Sequence, residues 1–259
     1  MSPGHRPRKR FGQHFLADAS VVDSIVDAIA PRPGDTLVEI GPGQGALTAP
    51  LIRSGAAIHG VEFDRDLAAA LRERWREAAN FVLHEADALR FDVRTLGTDL
   101  RIAGNLPYNI STPLLFHLLE AVDRIRDMHF MLQKEVVDRM AAEPGSKRYG
   151  RLTVMLGCAA EVEQLFEVPP GAFSPPPKVV SSVVRITPRG DARLPVRDAA
   201  TLQRIVSAGF SQRRKTLRNA LRQEARPEVL EACGIDPGAR AETVPVAGWV
   251  ALANRLAPP

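Results

Sequence analysis

"VEIGPGQGALT", Val38 to Thr48, runs from an apolar, β-rich segment through three glycines into a helical one. Glycines at a strand-to-helix turn let the backbone approach a ligand, because a Cβ would stand in the way. On either side of it, apolar runs and helical stretches alternate. "DTLVEIG" (35–41), "AIHGVEFD" (57–64), "FVLHEAD" (81–87), "LRIAGN" (100–105) and "MHFMLQ" (128–133) read as strands. "RDLAAALRERWREAA" (65–79) instead carries apolar residues at helical spacing. Strands alternating with helices imply parallel pairing in a doubly wound α/β sheet.

Two later strand-like runs, "VEQLFEVP" (162–169) and "VVSSVVRITP" (179–188), flank the proline-rich "PGAFSPPPK". No helix fits between them, so an antiparallel pair at one sheet edge is expected. "RGDARLP" (189–195) reads as a linker. After Pro195 only helical signals remain: "AATLQRIVSAGF", "RRKTLRNALRQEA", "RPEVLEACG" and "PVAGWVALANRLA". The expected division is an α/β domain over 1–188 and a small all-helical domain over 195–259.

The glycine turn admits two ligands. Gly41, Gly43 and Ala46 satisfy G-x-G-x-x-G/A, and Glu62 follows at about the spacing of a dinucleotide site, so a nicotinamide enzyme is one reading. Against it, Pro42 has no N–H to offer a pyrophosphate. Acids also recur at strand ends: Glu39 before the glycines, Glu62 in "GVEFD" and Asp87 in "HEADAL". A carboxylate at the second strand end can take ribose hydroxyls, and one at the third can accept from an adenine amine. Together these residues outline an adenosine site without phosphate recognition, as S-adenosylmethionine requires.

"GNLPYNIST" (104–112) follows the fourth strand. Methylating an exocyclic amine such as adenine N6 is difficult because the lone pair is delocalised into the ring. Two acceptors that take the amine's N–H bonds favour a pyramidal nitrogen with its lone pair free. The Asn105 side-chain oxygen and the Leu106 carbonyl are candidates for those acceptors. Pro107 fixes their aim, and Tyr108 offers a stacking face. Thr112 before Pro113 is a candidate cap for the next helix.

The bulk composition bounds the function classes. The 259 residues are 45% hydrophobic and 25% charged, ordinary for a soluble globular protein. No apolar run of about eighteen residues exists, so no membrane span is expected. The basic start has no apolar segment after it, so no secretory leader is expected. Cys158 and Cys233 lie far apart with no ligand spacing, which argues against a disulfide framework or a metal site and fits a reducing cytoplasm. The net charge is +4, and six basic residues without an acid fill 204–222: Arg204, Arg213, Arg214, Lys215, Arg218 and Arg222. Arg214 and Arg218, four apart, would share a helix face suited to backbone phosphates. A second basic group comprises Arg6, Arg8, Lys9 and Arg10.

These motifs carry a family resemblance. "KRFGQHFL", "VEIGPGQGALT", "VEFDRDL", "ADAL", "GNLPYNIST", "MLQKEVVDRM", "RYGRLTV", "FSPPPKVVSSVVRI" and "FSQRRKTLRNAL" occur in the order found in the ribosomal RNA adenine N6-dimethyltransferases. The pattern resembles the bacterial 16S enzymes in particular, and the related 23S RNA methyltransferases of macrolide resistance are the nearest competitor. The resemblance implies a Rossmann-like, seven-stranded methyltransferase sheet with a small helical C-terminal domain. It implies S-adenosyl-L-methionine as cofactor and His14, Leu16, Gly41, Gly43, Glu62, Asp87 and Asn105 as its contacts. Two adjacent adenines near the 3′ end of 16S RNA, in the immature small ribosomal subunit, are the implied target. Phe173, held by Pro175–Pro177, would stack on the flipped base opposite Tyr108. Arg213, Arg214, Lys215, Arg218 and Arg222 would contact RNA. A cytoplasmic monomer without a metal is expected, with a checkpoint role in subunit assembly as a further implication.

Overall fold

The structure is a computed structural model that describes residues 14–258. The basic group Arg6, Arg8, Lys9 and Arg10, with the first residues of "KRFGQHFL", lies outside the described residues. The chain divides into two compact units, one of Met1–Val137 with Glu163–Pro188, the other of Asp138–Val162 with Arg189–Pro259.

The first unit follows the expected alternation. In chain order it holds β1 (Phe15–Leu16), α1 (Ala19–Ile29), β2 (Thr36–Ile40), α2 (Thr48–Arg53), β3 (Ala57–Glu62), α3 (Arg65–Arg74) and β4 (Phe81–Glu85). Then come β5 (Leu100–Asn105), α4 (Ser111–Leu119), β6 (Ile125–Gln133) and the start of α5 (Lys134–Met140). After α6 (Arg151–Ala159) of the second unit, the chain returns through β7 (Ala160–Val168), β8 (Phe173–Ser174) and β9 (Ser181–Pro188). Seven strands form one sheet in the order β4-β3-β2-β5-β6-β9-β7. The first five in that order are mutually parallel, and β9 runs antiparallel to β6. The late pair β7 and β9 occupies the sheet edge, where the sequence places it. β2 and β5 are central and buried almost throughout, which explains their near-continuous apolar runs.

The strand order reverses between β2 and β5: β3 and β4 continue to one side, β6 to the other. Such a reversal opens a crevice at the carboxyl ends of the strands. Gly104 brings those ends together. A Cβ there would stand 2.5 Å from the Ile40 carbonyl oxygen, so no other residue fits. Asn105 is thereby delivered beside the glycine turn that follows β2.

Near the starts of the same strands lies a charge network. Arg101, 7% exposed, donates to Asp35 at 3.0 Å and to Asp127 at 3.1 Å. It also donates to the Ala30 and Ile29 carbonyls, tying the end of α1 to the sheet. Arg126 extends the network from Asp35 to Asp99. Burial pushes the Asp35 carboxyl up, but hydrogen bonds from Arg126, the Arg32 amide and Arg101 outweigh it and hold the group below its usual range.

In the second unit α6 packs with α7 (Ala199–Ser211) and α10 (Val246–Leu256), while α8 (Leu217–Ala220) packs on α7 and α9 (Pro227–Ala232) on α10. Tyr149, Val154 and Cys158 join Leu202, Ile205 and Trp249 in one buried cluster. Residues 138–162 therefore belong to this unit, whereas the sequence reading includes them in 1–188. The helix expected over "RRKTLRNAL" is also broken. Residues 212–216 form a turn with a bridge from Thr216 to Arg240, and α8 is a single turn. The reason is competition for donors: the Leu217 and Arg218 amides bond to the Ala239 and Pro237 carbonyls instead of extending a helix backward. Arg214 and Arg218 thus do not share one continuous helix. Among the described residues no helix is long and apolar enough to cross a membrane.

Candidate active site

A cavity of about 310 Å³ occupies the crevice at the ends of β2, β3, β4 and β5, a volume suited to a small molecule. Residues 14–16, 39–44, 61–64, 86–89 and 105–110 line it. The cavity therefore collects His14, Leu16, Gly41, Gly43, Glu62, Asp87, Asn105, Leu106 and Tyr108.

The glycine turn is wound in the left-handed region, with φ of +66°, +60° and +81° at Gly41, Gly43 and Gly45. A Cβ on Gly43 would also press on the Phe15 ring at 3.2 Å. The amides of all three glycines are already used. Gly41 donates to Val61 O at 2.9 Å, Gly43 to Glu62 Oε2 at 3.0 Å, and Gly45 to Pro42 O at 2.8 Å. Pro42 has none. Gly41, Pro42, Gly43 and Gly45 therefore offer no free N–H to a pyrophosphate, which counts against the dinucleotide reading.

The lining is acidic instead. Glu62, 6% exposed, takes the Gly43 amide on one oxygen and the Asp64 amide, at 2.8 Å, on the other. Burial pushes its carboxyl up, and the two amides hold it back only in part. Glu39 is almost wholly buried, and its Oε2 has no hydrogen-bond partner. Burial pushes Glu39 up to about 7; nearby Thr48 opposes the shift and the Glu62 charge adds to it. The Thr48 hydroxyl does not reach hydrogen-bonding geometry, so its influence is that of a close dipole. Asp87 accepts from the Leu89 amide at 3.0 Å, and its side chain is 39% exposed. A negative cavity with hydroxyl and amine acceptors suits a cationic nucleoside and repels a phosphate.

The turn after β5 is pinned on several sides. Asn105 Nδ2 donates to His14 O at 2.9 Å, so Oδ1 is the amide atom left to accept. The Leu106 amide donates to Met131 O at 3.2 Å, which fixes the peptide bearing the neighbouring acceptors. The Tyr108 ring stacks on His14, with centroids 5.7 Å apart and planes 28° off parallel, and its hydroxyl meets Ser181 Oγ at 2.8 Å. His14 Nδ1 donates to Pro175 O at 2.8 Å. α4 starts at Ser111, whose hydroxyl donates to Tyr108 O, so Thr112 lies inside the helix and does not cap it.

Phe173 does not line the cavity. It is 4% exposed, pairs with Leu16 across β1 and β8, and packs among Leu16, Met131 and Val183. Its burial makes it a support for the His14–Leu16 segment rather than an open stacking face. Sequence reasoning missed Phe63, which is 59% exposed, lines the cavity, and directly follows Glu62. An aromatic next to a strand-end acid was its signal. In the second unit Arg213 donates to Glu242 at 2.9 Å and to the Lys147 and Tyr149 carbonyls. Arg204 pairs with Glu224 at 2.8 Å. Arg214, Lys215, Arg218 and Arg222 remain exposed.

A sheet of this order, with its cavity at the reversal point, defines a Rossmann-like α/β protein with a small-molecule site at its strand ends. The sequence pattern described as ribosomal RNA adenine dimethylase matches residues 4–258. The ribosomal RNA small subunit methyltransferase A of Thiobacillus denitrificans is 58% identical over 253 residues, covering 98% of this chain and 99% of that one. A solved dimethyladenosine transferase from Plasmodium falciparum shares the fold, with a TM-score of 0.80 at 24% identity over 92% of this chain and 96% of its own. The 23S rRNA methyltransferase ErmE gives a TM-score of 0.70 at 28% identity, over 93% of this chain and 99% of its own. The chain belongs to the ribosomal RNA adenine dimethylase family.

Proposed function

We propose that this methyltransferase uses S-adenosylmethionine to dimethylate N6 of two adjacent adenines near the 3′ end of 16S ribosomal RNA, acting as a cytoplasmic monomer on the immature small subunit. The choice of the small subunit over 23S RNA rests on similarity: 58% identity to a relative named for the small subunit, against 28% to ErmE. When bound, S-adenosylmethionine supplies an electrophilic methyl group on a positively charged sulfur.

The orphaned buried carboxyl of Glu39 and the committed glycine amides fit such a cation. Glu62 and Asp87 would accept from its hydroxyl and amine groups, and Phe63 would cover its adenine. The observation that carries the reading is the bond from Asn105 Nδ2 to His14 O. With Nδ2 held there, Oδ1 can accept one N–H of the target amine, and Leu106 O can accept the other. The nitrogen lone pair is then freed by orientation, without a strong base. Tyr108 holds the base flat. Arg214, Lys215, Arg218 and Arg222 would contact RNA phosphates, while Arg213 serves the internal packing of its own unit.

Calorimetric titration is expected to show binding of S-adenosylmethionine and its demethylated product, and none of a nicotinamide dinucleotide. Asn105→Ala is expected to lower methyl transfer to small subunits by about 100-fold or more. A variant that still transfers at the parent rate would overturn the assigned role of the turn.

A further inference from the structure

Ser181 is fully buried at the start of β9, and its hydroxyl meets the Tyr108 hydroxyl at 2.8 Å. A residue that only offered a flat face to a base would need no hydroxyl, and phenylalanine would serve. The phenol oxygen lies on the ring's long axis, so a hydrogen bond there fixes where that axis points. It leaves rotation about the axis free, and the stack against His14 restricts that rotation. His14 is itself held by Pro175 O and by Asn105. Two orthogonal constraints therefore set the ring, and one of them comes from a strand that contributes no residue to the cavity lining.

We propose that Ser181 is a positioning residue for methyl transfer, setting the axis of Tyr108 and through it the plane in which the target adenine lies. This rests on the function proposed above. Removing the bond frees the ring to tilt, and a misplacement on the order of 1 Å at a reacting centre can cost about 100-fold in rate. Ser181 bonds to none of the expected cofactor contacts, and His14 keeps its bonds to Pro175 O and Asn105.

The chain has two tyrosines, Tyr108 and Tyr149, which makes the contact directly readable. In protein labelled with ¹³C at the tyrosine ring carbon bearing the hydroxyl, Ser181→Ala is expected to move the Tyr108 resonance. It should leave that of Tyr149, which bonds to Val244 O, in place. Burial raises the Tyr108 phenol and Ser181 lowers it, so the variant should also titrate at higher pH. Turnover on small subunits is expected to fall roughly 10-fold, with S-adenosylmethionine affinity unchanged. Tyr108→Phe, which deletes the same bond from its other end, should match it, and the double variant should be no slower than either. An unmoved Tyr108 resonance, parental turnover in Ser181→Ala, or additive losses in the double variant would overturn the proposal. Failure of the parent enzyme to methylate small subunits would instead overturn the functional reading, and the resonance shift would still report the contact.

Discussion

Glu39 ties the site to the stability of the fold. Its folded carboxyl holds a proton up to about pH 7, against an ordinary value of 4.5. The folded state therefore binds the proton more tightly than the unfolded chain does. Stability from this group is fully present below about pH 4.5 and falls, by on the order of 3 kcal/mol, as pH rises to about 7. Glu39→Gln is expected to flatten that part of the profile in urea unfolding measured from pH 4 to 8, and an unchanged slope would count against the buried, partnerless carboxyl. Gly104 makes a second demand at this scale. Gly104→Ala drives a Cβ against Ile40 O and should cost about 1–3 kcal/mol of unfolding free energy. Cofactor binding should weaken with it, because Asn105 moves when β5 shifts. At this scale the sequence displays strand-end acids and glycines well, since their chemistry is local. It hides which oxygen of Glu62 each amide takes, and that Phe173 turns inward, because both depend on contacts between residues far apart in the chain.

Elements show a similar division. β2 to β6 are legible because central parallel strands must be apolar throughout and the helices between them repeat at 3.6 residues. The two-residue strands β1 and β8 are too short to show any period, yet their pairing carries His14 and Leu16 to the cavity. α8 defeats a propensity argument: Arg, Lys and Leu favour helix, but the backbone donors at 217 and 218 are claimed by 237–239. The charge network at the strand starts is equally silent in sequence, since it joins Asp35, Arg101 and Asp127 across three strands. Arg101→Ala would leave two acids partnered less well at the sheet's buried end. It is expected to cost about 3–5 kcal/mol in urea unfolding, far more than removal of exposed Arg94.

For the whole molecule, the helical unit is where charge and RNA are expected to meet. Replacing Arg214, Lys215, Arg218 and Arg222 together by Gln should weaken RNA binding and lower the slope of log K against log salt by about 3, at roughly 0.7 per phosphate contact on single-stranded RNA. Cofactor affinity, set in the other unit, should not change. A slope equal to the parent's would place the RNA surface elsewhere. The central claim is that one cavity, lined by acids and closed by Asn105, Leu106 and Tyr108, directs methyl groups to adenine N6 of the small-subunit RNA. Labelled-methyl transfer from S-adenosylmethionine to small subunits lacking the modification, followed by mapping of the label, tests it most directly. The account predicts label on N6 of two adjacent adenines near the 3′ end of 16S RNA, and none in 23S RNA. Label absent from those adenines, or found in 23S RNA instead, would contradict it.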